Sequence, residues 1–162
     1  MEPARRAPDA REAEAPRLAV LPSGRSVAVE AVGTTRAGVL DVPDDIATAG
    51  WWRGGARLGD PFGSMLIAAH VDSVTQGLGP FAELLEVTAG ARIQVRSRAR
   101  RQAYEVRSRR LVPRAALTSS PWMFDASGQA RLVLVTCAPP YDSRRGGYQN
   151  LAVVTAVPVG RP

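Results

Sequence analysis

Two side chains occur once each in the chain and could do chemistry together: His70 and Cys137. Each ends an apolar run, His70 after SMLIAA and Cys137 after RLVLVT, and each is followed at once by a polar or proline-rich stretch. A free thiol, with a pKa of about 8.5, is mostly protonated at neutral pH. A nearby imidazolium favours the thiolate and could later protonate a departing amine, the two needs of a cysteine acyl transfer. Plainer readings exist for both residues. A lone cysteine at a strand end can be a small apolar side chain buried among others, and a histidine there can be a packed or surface group. The residue types alone leave that choice open.

The elements that must position the pair read mostly as strands. RLAVL (17–21) and SVAVEAV (26–32) flank the turn-forming PSG and predict a hairpin. GVLDVP (38–43) reads as a short strand stopped by Pro43, DDIATAGWW (44–52) as one or two helical turns, and RGGARLGDPFG (53–63) as irregular. SMLIAAH (64–70) reads as a buried strand, VDSVTQGLGP (71–80) as loop, and FAELLEVTAG (81–90) as a helical turn ending at Gly90. Alternation on both sides of a polar break near 98–101 predicts a hairpin over 91–112 with one wet face. A long connection over 113–130 carries Pro113, Pro121, Trp122, Met123 and Phe124; a structureless loop of that length is often functional. RLVLVTC (131–137) predicts a strand, APPYDSRRGG (138–147) a loop and YQNLAVVTAVP (148–158) the last strand. Short strands with hardly any helix predict an all-β domain, a single closed eight-stranded barrel with one or two short helical turns. Residues 1–16 read as a disordered leader or linker remnant, 17–158 as the barrel domain and 159–162 as a tail.

Composition bounds the possibilities. A chain of 162 residues, 45% hydrophobic, suffices for one domain with a real core. No apolar run approaches the roughly 18–20 residues of a membrane span, and no signal-peptide core is evident. A segment needed for export or anchoring would lie outside this sequence. One cysteine excludes an internal disulfide. With one histidine beside it, the usual nitrogen and sulfur ligand set for zinc is not available, and no metal or other cofactor is expected. The net charge is +6 and all 21 basic residues are arginines, which fits a GC-rich coding bias. The arginines of 92–110 also raise an alternative, a basic barrel binding nucleic acid or another polyanion. Aromatic residues do not interleave there as stacking platforms, so a solvated strand face and no nucleic-acid partner is the preferred reading.

The ordered motifs resemble those of sortases. VLVTC (133–137) resembles the T-L-x-T-C signature, with Val133 in place of the first threonine. AAHVDS (68–73) resembles the histidine segment G-H-x-D/S, with Ala69 in place of glycine. LDVPDD before AGWW, GPFAELLEV after the histidine segment and GGYQNLAVVTA at the end fall in the same order, so the likeness spans 17–158. Within the family the pattern is most similar to actinobacterial class F, with class E next. Papain-like proteases place cysteine before histidine, and L,D-transpeptidases carry an S-x-G-C neighbourhood; neither pattern matches.

The resemblance implies a barrel-shaped cysteine transpeptidase at the outer face of the cell membrane, anchored in its full-length form and monomeric. Its protein substrates would carry a C-terminal LPXTG-like signal, and an amine of a cell-wall precursor would accept them. Cys137 would attack the threonine carbonyl, and His70 would protonate the departing glycine amine. Thr136 would help orient the peptide, and Ala116, Leu117 and Trp122 would belong to the specificity loop. The family also uses an arginine on or before its closing strand to donate to substrate backbone and oxyanion. Where relatives carry it after the tyrosine, this chain has Gln149. Arg144 and Arg145 lie just upstream, and Arg145 is the expected substitute because it is nearer the strand. If Gln149 stands in for the arginine outright, a catalytically weak, peptide-binding relative is the further alternative.

Overall fold

The computed structural model describes residues 12–36, 40–119 and 121–160, without the side chains of 117–119. The alternating segments become strands. β1 (Leu18–Val20) and β2 (Ser26–Val32) form the expected hairpin. β3 (Thr48–Trp52) and β4 (Ser64–Ala68) follow, then a two-stranded ribbon of β5 (Asp72–Ser73) and β6 (Gly77–Leu78). β7 (Arg92–Arg96) and β8 (Arg101–Pro113) form the arginine-rich hairpin. β9 (Arg131–Asp142) and β10 (Gly147–Val159) complete the set. Eight of these strands close a barrel in the order β1–β2–β3–β4–β9–β10–β8–β7, which leaves no unpaired sheet edge to aggregate. Helical structure among the described residues is limited to 3₁₀ turns, including Pro80–Leu85, Arg114–Ser119 and Pro121–Phe124.

Four local expectations are corrected. DDIATAGWW does not form helical turns: Asp45 accepts from the Ala47 amide and the Thr48 hydroxyl, and the chain then enters β3 parallel to β2. A β-carbon at Gly50 would lie 2.9 Å from both Pro43 and Val32, so tertiary packing, not propensity, sets this segment. GVLDVP is not a regular strand; Leu40 makes an isolated bridge to Thr34, while 37–39 lie outside the described residues. The loop expected over 71–80 holds the β5–β6 ribbon. The loop expected after Cys137 is strand as far as Asp142, paired with β10 across the Asp142–Arg144 cap. The prolines fall beside a register irregularity, where a missing amide donor is tolerated.

Of the expected leader, 1–11 lie outside the described residues, as do 161–162 of the tail. Glu14 pairs with Leu58 and accepts from the Ser97 hydroxyl and the Ala99 amide. These bonds hold its carboxyl below the usual range. On the arginine-rich hairpin, Arg92 and Arg107 both pair with Glu105, Arg109 donates to the Val87 carbonyl, and Arg110 stacks on Trp122. Much of that charge is thus engaged within the fold.

The central strands have two apolar faces. Met65 and Ile67 of β4, Leu132 and Leu134 of β9, and Val154 and Ala156 of β10 point into the barrel with Trp51, Phe81 and Ile93. The alternate residues Leu66, Val133, Leu151 and Val153 point outward, under Met123 with Trp122, Phe124, Val135 and Cys137 packed beside them. The 113–130 connection therefore acts as a cover. Double-sided burial explains why LVLV is apolar at both parities rather than alternating.

Candidate active site

β4 and β9 are parallel neighbours, with Ser64 opposite Arg131 and Ala68 opposite Val135. Continued two residues past the last pair, that register sets His70 opposite Cys137. The Ala69 amide donates to the Val135 carbonyl at 3.1 Å, and the Thr136 hydroxyl donates to the Ala69 carbonyl at 2.8 Å. These bonds extend the strand pairing to the residue before the histidine and hold the two strand ends in register. Thr136 itself is buried. Its hydroxyl is committed to this link between the two strand ends.

His70 and Cys137 both line a cleft of about 620 Å³ on the outer face of the barrel. Ala68, Leu66 and Val135 floor it, Met123 and Phe124 come from the cover, and Asp41 and Asp44 come from the segment before β3. Most of the lining is apolar, with Asp41, Asp44, His70, Arg114, Thr136 and Cys137 as its polar or reactive members. Cys137 is half-buried, and burial raises its thiol pKa; Arg114 opposes that shift and Asp72 adds to it. The resting sulfur is therefore held toward the thiol form, with one guanidinium favouring the thiolate.

The sequence reading missed Arg114. It lies directly after β8, lines the cleft, and donates to the Gly146 carbonyl at 3.1 Å and the Arg145 carbonyl at 3.2 Å. It thus ties the start of the cover to the turn before β10. Gly146 is left-handed (φ +88°), and a β-carbon there would lie 2.9 Å from the Arg114 guanidinium. Nothing in the spacing of the sequence separates Arg114 from the other arginines; only the barrel brings it to the sulfur.

The expected arginine, Arg145, is exposed and faces Asp142 at 3.7 Å, away from the cleft lining. Arg144 lies in the same 3₁₀ turn. The Gln149 amide donates to the Gly147 carbonyl at 2.8 Å and the Arg145 carbonyl at 3.3 Å, and so is turned back into the turn. Trp122 of the cover packs against the outward apolar cluster and carries Arg110 5.7 Å from its ring centroid; its neighbours Met123 and Phe124 line the cleft instead. Ala116 is half-buried in the 3₁₀ turn after Arg114 and is not among the cleft-lining residues, and the side chain of Leu117 lies outside the described residues.

Asp72, the D/S position of the histidine segment, and Tyr148, neither given a role by the sequence reading, line a second cavity together with Cys137. Asp72 accepts a 2.6 Å hydrogen bond from the Tyr148 hydroxyl, joining the segment after His70 to β10. That bond pushes the Tyr148 pKa up to about 12. Among the described residues no group of three or more His, Cys, Asp or Glu could hold a metal ion, and no helix is long and apolar enough to cross a membrane.

A sortase domain family model matches residues 21–159. No curated protein matches the sequence. Among solved structures, the chain is similar to a pilus-related sortase C of Group B Streptococcus at 17% identity and a TM-score of 0.66, covering 91% of this chain and 68% of that one. Sortase C-1 from Actinomyces oris is 20% identical with a TM-score of 0.66, over 89% and 73% of the two chains. A lid mutant of sortase A from Corynebacterium diphtheriae is 17% identical with a TM-score of 0.67, over 96% and 75%. At these identities the likeness to the solved structures establishes the fold.

Proposed function

The chain belongs to the sortase domain family, whose members are cysteine transpeptidases acting on proteins with sorting signals, and we propose that it cleaves an LPXTG-like signal between Thr and Gly. The observation that carries this reading is the parallel β4–β9 register, which sets His70 opposite Cys137 on one cleft. In the proposed reaction the Cys137 thiol passes its proton to His70, the sulfur attacks the threonine carbonyl carbon, and the oxygen becomes an oxyanion. The C–N bond then breaks, His70 gives its proton to the departing glycine amine, and a thioester remains. The apolar cleft holds the peptide during both steps. An amine of a cell-wall precursor resolves the thioester, and water competes with it.

Arg114 takes the part first expected of Arg145. It is the guanidinium that lines the cleft with the sulfur, and a charged forked donor is well suited to a developing oxyanion. The ordered segments LDVPDD, AAHVDS and GGYQNLAVVTA support a class F assignment, with class E next. The same likeness supports a site of action at the outer face of the membrane and a monomeric, anchored full-length protein.

The test is incubation with LPXTG-, LAXTG- and scrambled peptides, with and without an amine, followed by mass spectrometry of products and enzyme. The expected result is cleavage after threonine and a thioester-sized adduct on Cys137, both lost in Cys137→Ala and nearly lost in His70→Ala. Equal turnover by the Cys137→Ala protein would overturn the proposal, as would turnover with no dependence on the signal. The panel also reads the preference between LPXTG and LAXTG. The polyanion-binding alternative predicts instead a salt-sensitive affinity for duplex DNA that ignores Cys137.

A further inference from the structure

Cys137 lines two cavities, not one. Besides the apolar cleft, a second cavity of about 530 Å³ opens beside it, lined by Asp72, Tyr141, Gly147 and Tyr148 among others. Cys137 and Arg114 are the two residues that line both. The second cavity differs in chemistry. Asp72 brings a carboxylate, with one of its lone-pair sites occupied by the Tyr148 hydroxyl and others still available. Tyr148 meets Tyr141 edge to face at 5.1 Å between ring centroids, and Tyr141 is 65% exposed. The Gly146–Gly147 turn, left-handed at both residues, brings backbone without side chains to the same wall.

A transpeptidase must present two ligands in succession to one acyl carbon. Once the thioester has formed, the acyl peptide still fills the apolar cleft, so the second ligand needs another approach. A carboxylate beside two phenol rings is a seat for a cation, through charge-assisted hydrogen bonds and ring faces. We infer that the Asp72–Tyr148–Tyr141 cavity is the acceptor site and that it takes a primary amine arriving as an ammonium ion. This inference rests on the transpeptidase reading and deepens it.

The step balances. The ammonium gives one proton to Asp72, which is exposed and passes it to solvent. The neutral nitrogen attacks the thioester carbonyl carbon, and the C–Sγ bond breaks with the electron pair going to sulfur. His70, left neutral by the first half-reaction, takes the second nitrogen proton. An amide, a thiolate and an imidazolium result, and return of the imidazolium proton to the sulfur restores the resting thiol. Arg114 lines the same cavity and repels a cation, which confines the ammonium to the Asp72 end.

The test partitions one acyl-enzyme between two fates. The wild type, Asp72→Asn and Tyr141→Ala are given an LPXTG peptide with triglycine, and mass spectrometry reads the ratio of transfer to hydrolysis in one tube. The ratio is independent of how much acyl-enzyme forms or how much protein is folded. Hydroxylamine, a small nucleophile uncharged at neutral pH, serves as a second acceptor that has no need of a cation seat. Loss of a charged partner predicts a fall of about tenfold or more in the triglycine ratio for Asp72→Asn, a smaller fall for Tyr141→Ala, and little change with hydroxylamine. A Cys137 adduct with an unchanged triglycine ratio in both variants would overturn this inference alone, as would an equal fall with hydroxylamine. Absence of any Cys137 adduct would overturn the transpeptidase reading and this inference with it.

Discussion

The inner and outer faces of β4, β9 and β10 are made by alternate residues of the same strands, yet they serve different ends. Inward, Ile67, Leu134 and Val154 are fully buried and hold the barrel closed. Outward, Val135 and Cys137 are only half-buried, and both line the cleft beside the cover. A strand that is apolar on both faces separates stability from chemistry by parity. The inner face can be filled to capacity because the chemistry lies outside it.

The largest expected effects test that separation directly. Leu134 and Cys137 lie three residues apart on opposite faces. Cys137→Ala is expected to lower turnover by about 10³-fold or more while leaving the denaturation midpoint close to that of the wild type. Leu134→Ala is expected to cost about 2–5 kcal/mol of stability by cavity formation, with the folded fraction still able to form the Cys137 adduct. Urea titration and adduct yield, measured on both proteins, check the pair. A Cys137→Ala variant destabilised as much as Leu134→Ala would erase the distinction between the faces.

A smaller contrast sets the two candidate arginines against each other. Arg114→Ala is expected to lower kcat/KM by about 10²–10³-fold, the scale of one oxyanion donor. Arg145→Ala removes only an exposed contact to Asp142 and is expected to stay within about fivefold. The thiol gives an independent readout. Burial already raises its pKa, and the Arg114 guanidinium favours the charged form, so removing it moves the pKa further up. Cys137 alkylation by iodoacetamide should therefore rise with pH later in Arg114→Ala than in the wild type, and earlier in Asp72→Asn. Coincident pH profiles would remove Arg114 from the sulfur's surroundings.

The smallest expected effect concerns the link between the two strand ends. Thr136→Val keeps the shape but loses the donor to the Ala69 carbonyl, at a cost of about 1 kcal/mol. If that bond positions the pair, kcat falls more than KM rises. A loss of stability with unchanged kinetics would leave the hydroxyl a purely structural role.

Much of the barrel was legible in the sequence because period-two alternation is a local signal. The 26–32 strand and the 91–112 hairpin carry it, while the runs before His70 and Cys137 were legible as unbroken apolar stretches bounded by polar or proline-rich residues. AGWW was not, since its conformation depends on β2 and on the space a glycine leaves beside Val32 and Pro43. The β5–β6 ribbon escaped notice because each strand has only two residues, too few for a period to show.

The sequence by itself determined the scarce reactive residues. One thiol and one imidazole at the ends of apolar runs leave few other places for cysteine chemistry, and the order of the flanking motifs points to the family. The tertiary structure alone decided what surrounds the sulfur. Parallel pairing of β4 with β9 sets His70 opposite Cys137, and closure of β8 on β10 brings Arg114, rather than Arg145, to the cleft. The return of β10 carries Tyr148 to Asp72. Side-chain identity is a property of the chain read locally; proximity between residues far apart in sequence is set by strand register, which exists only once the barrel has closed.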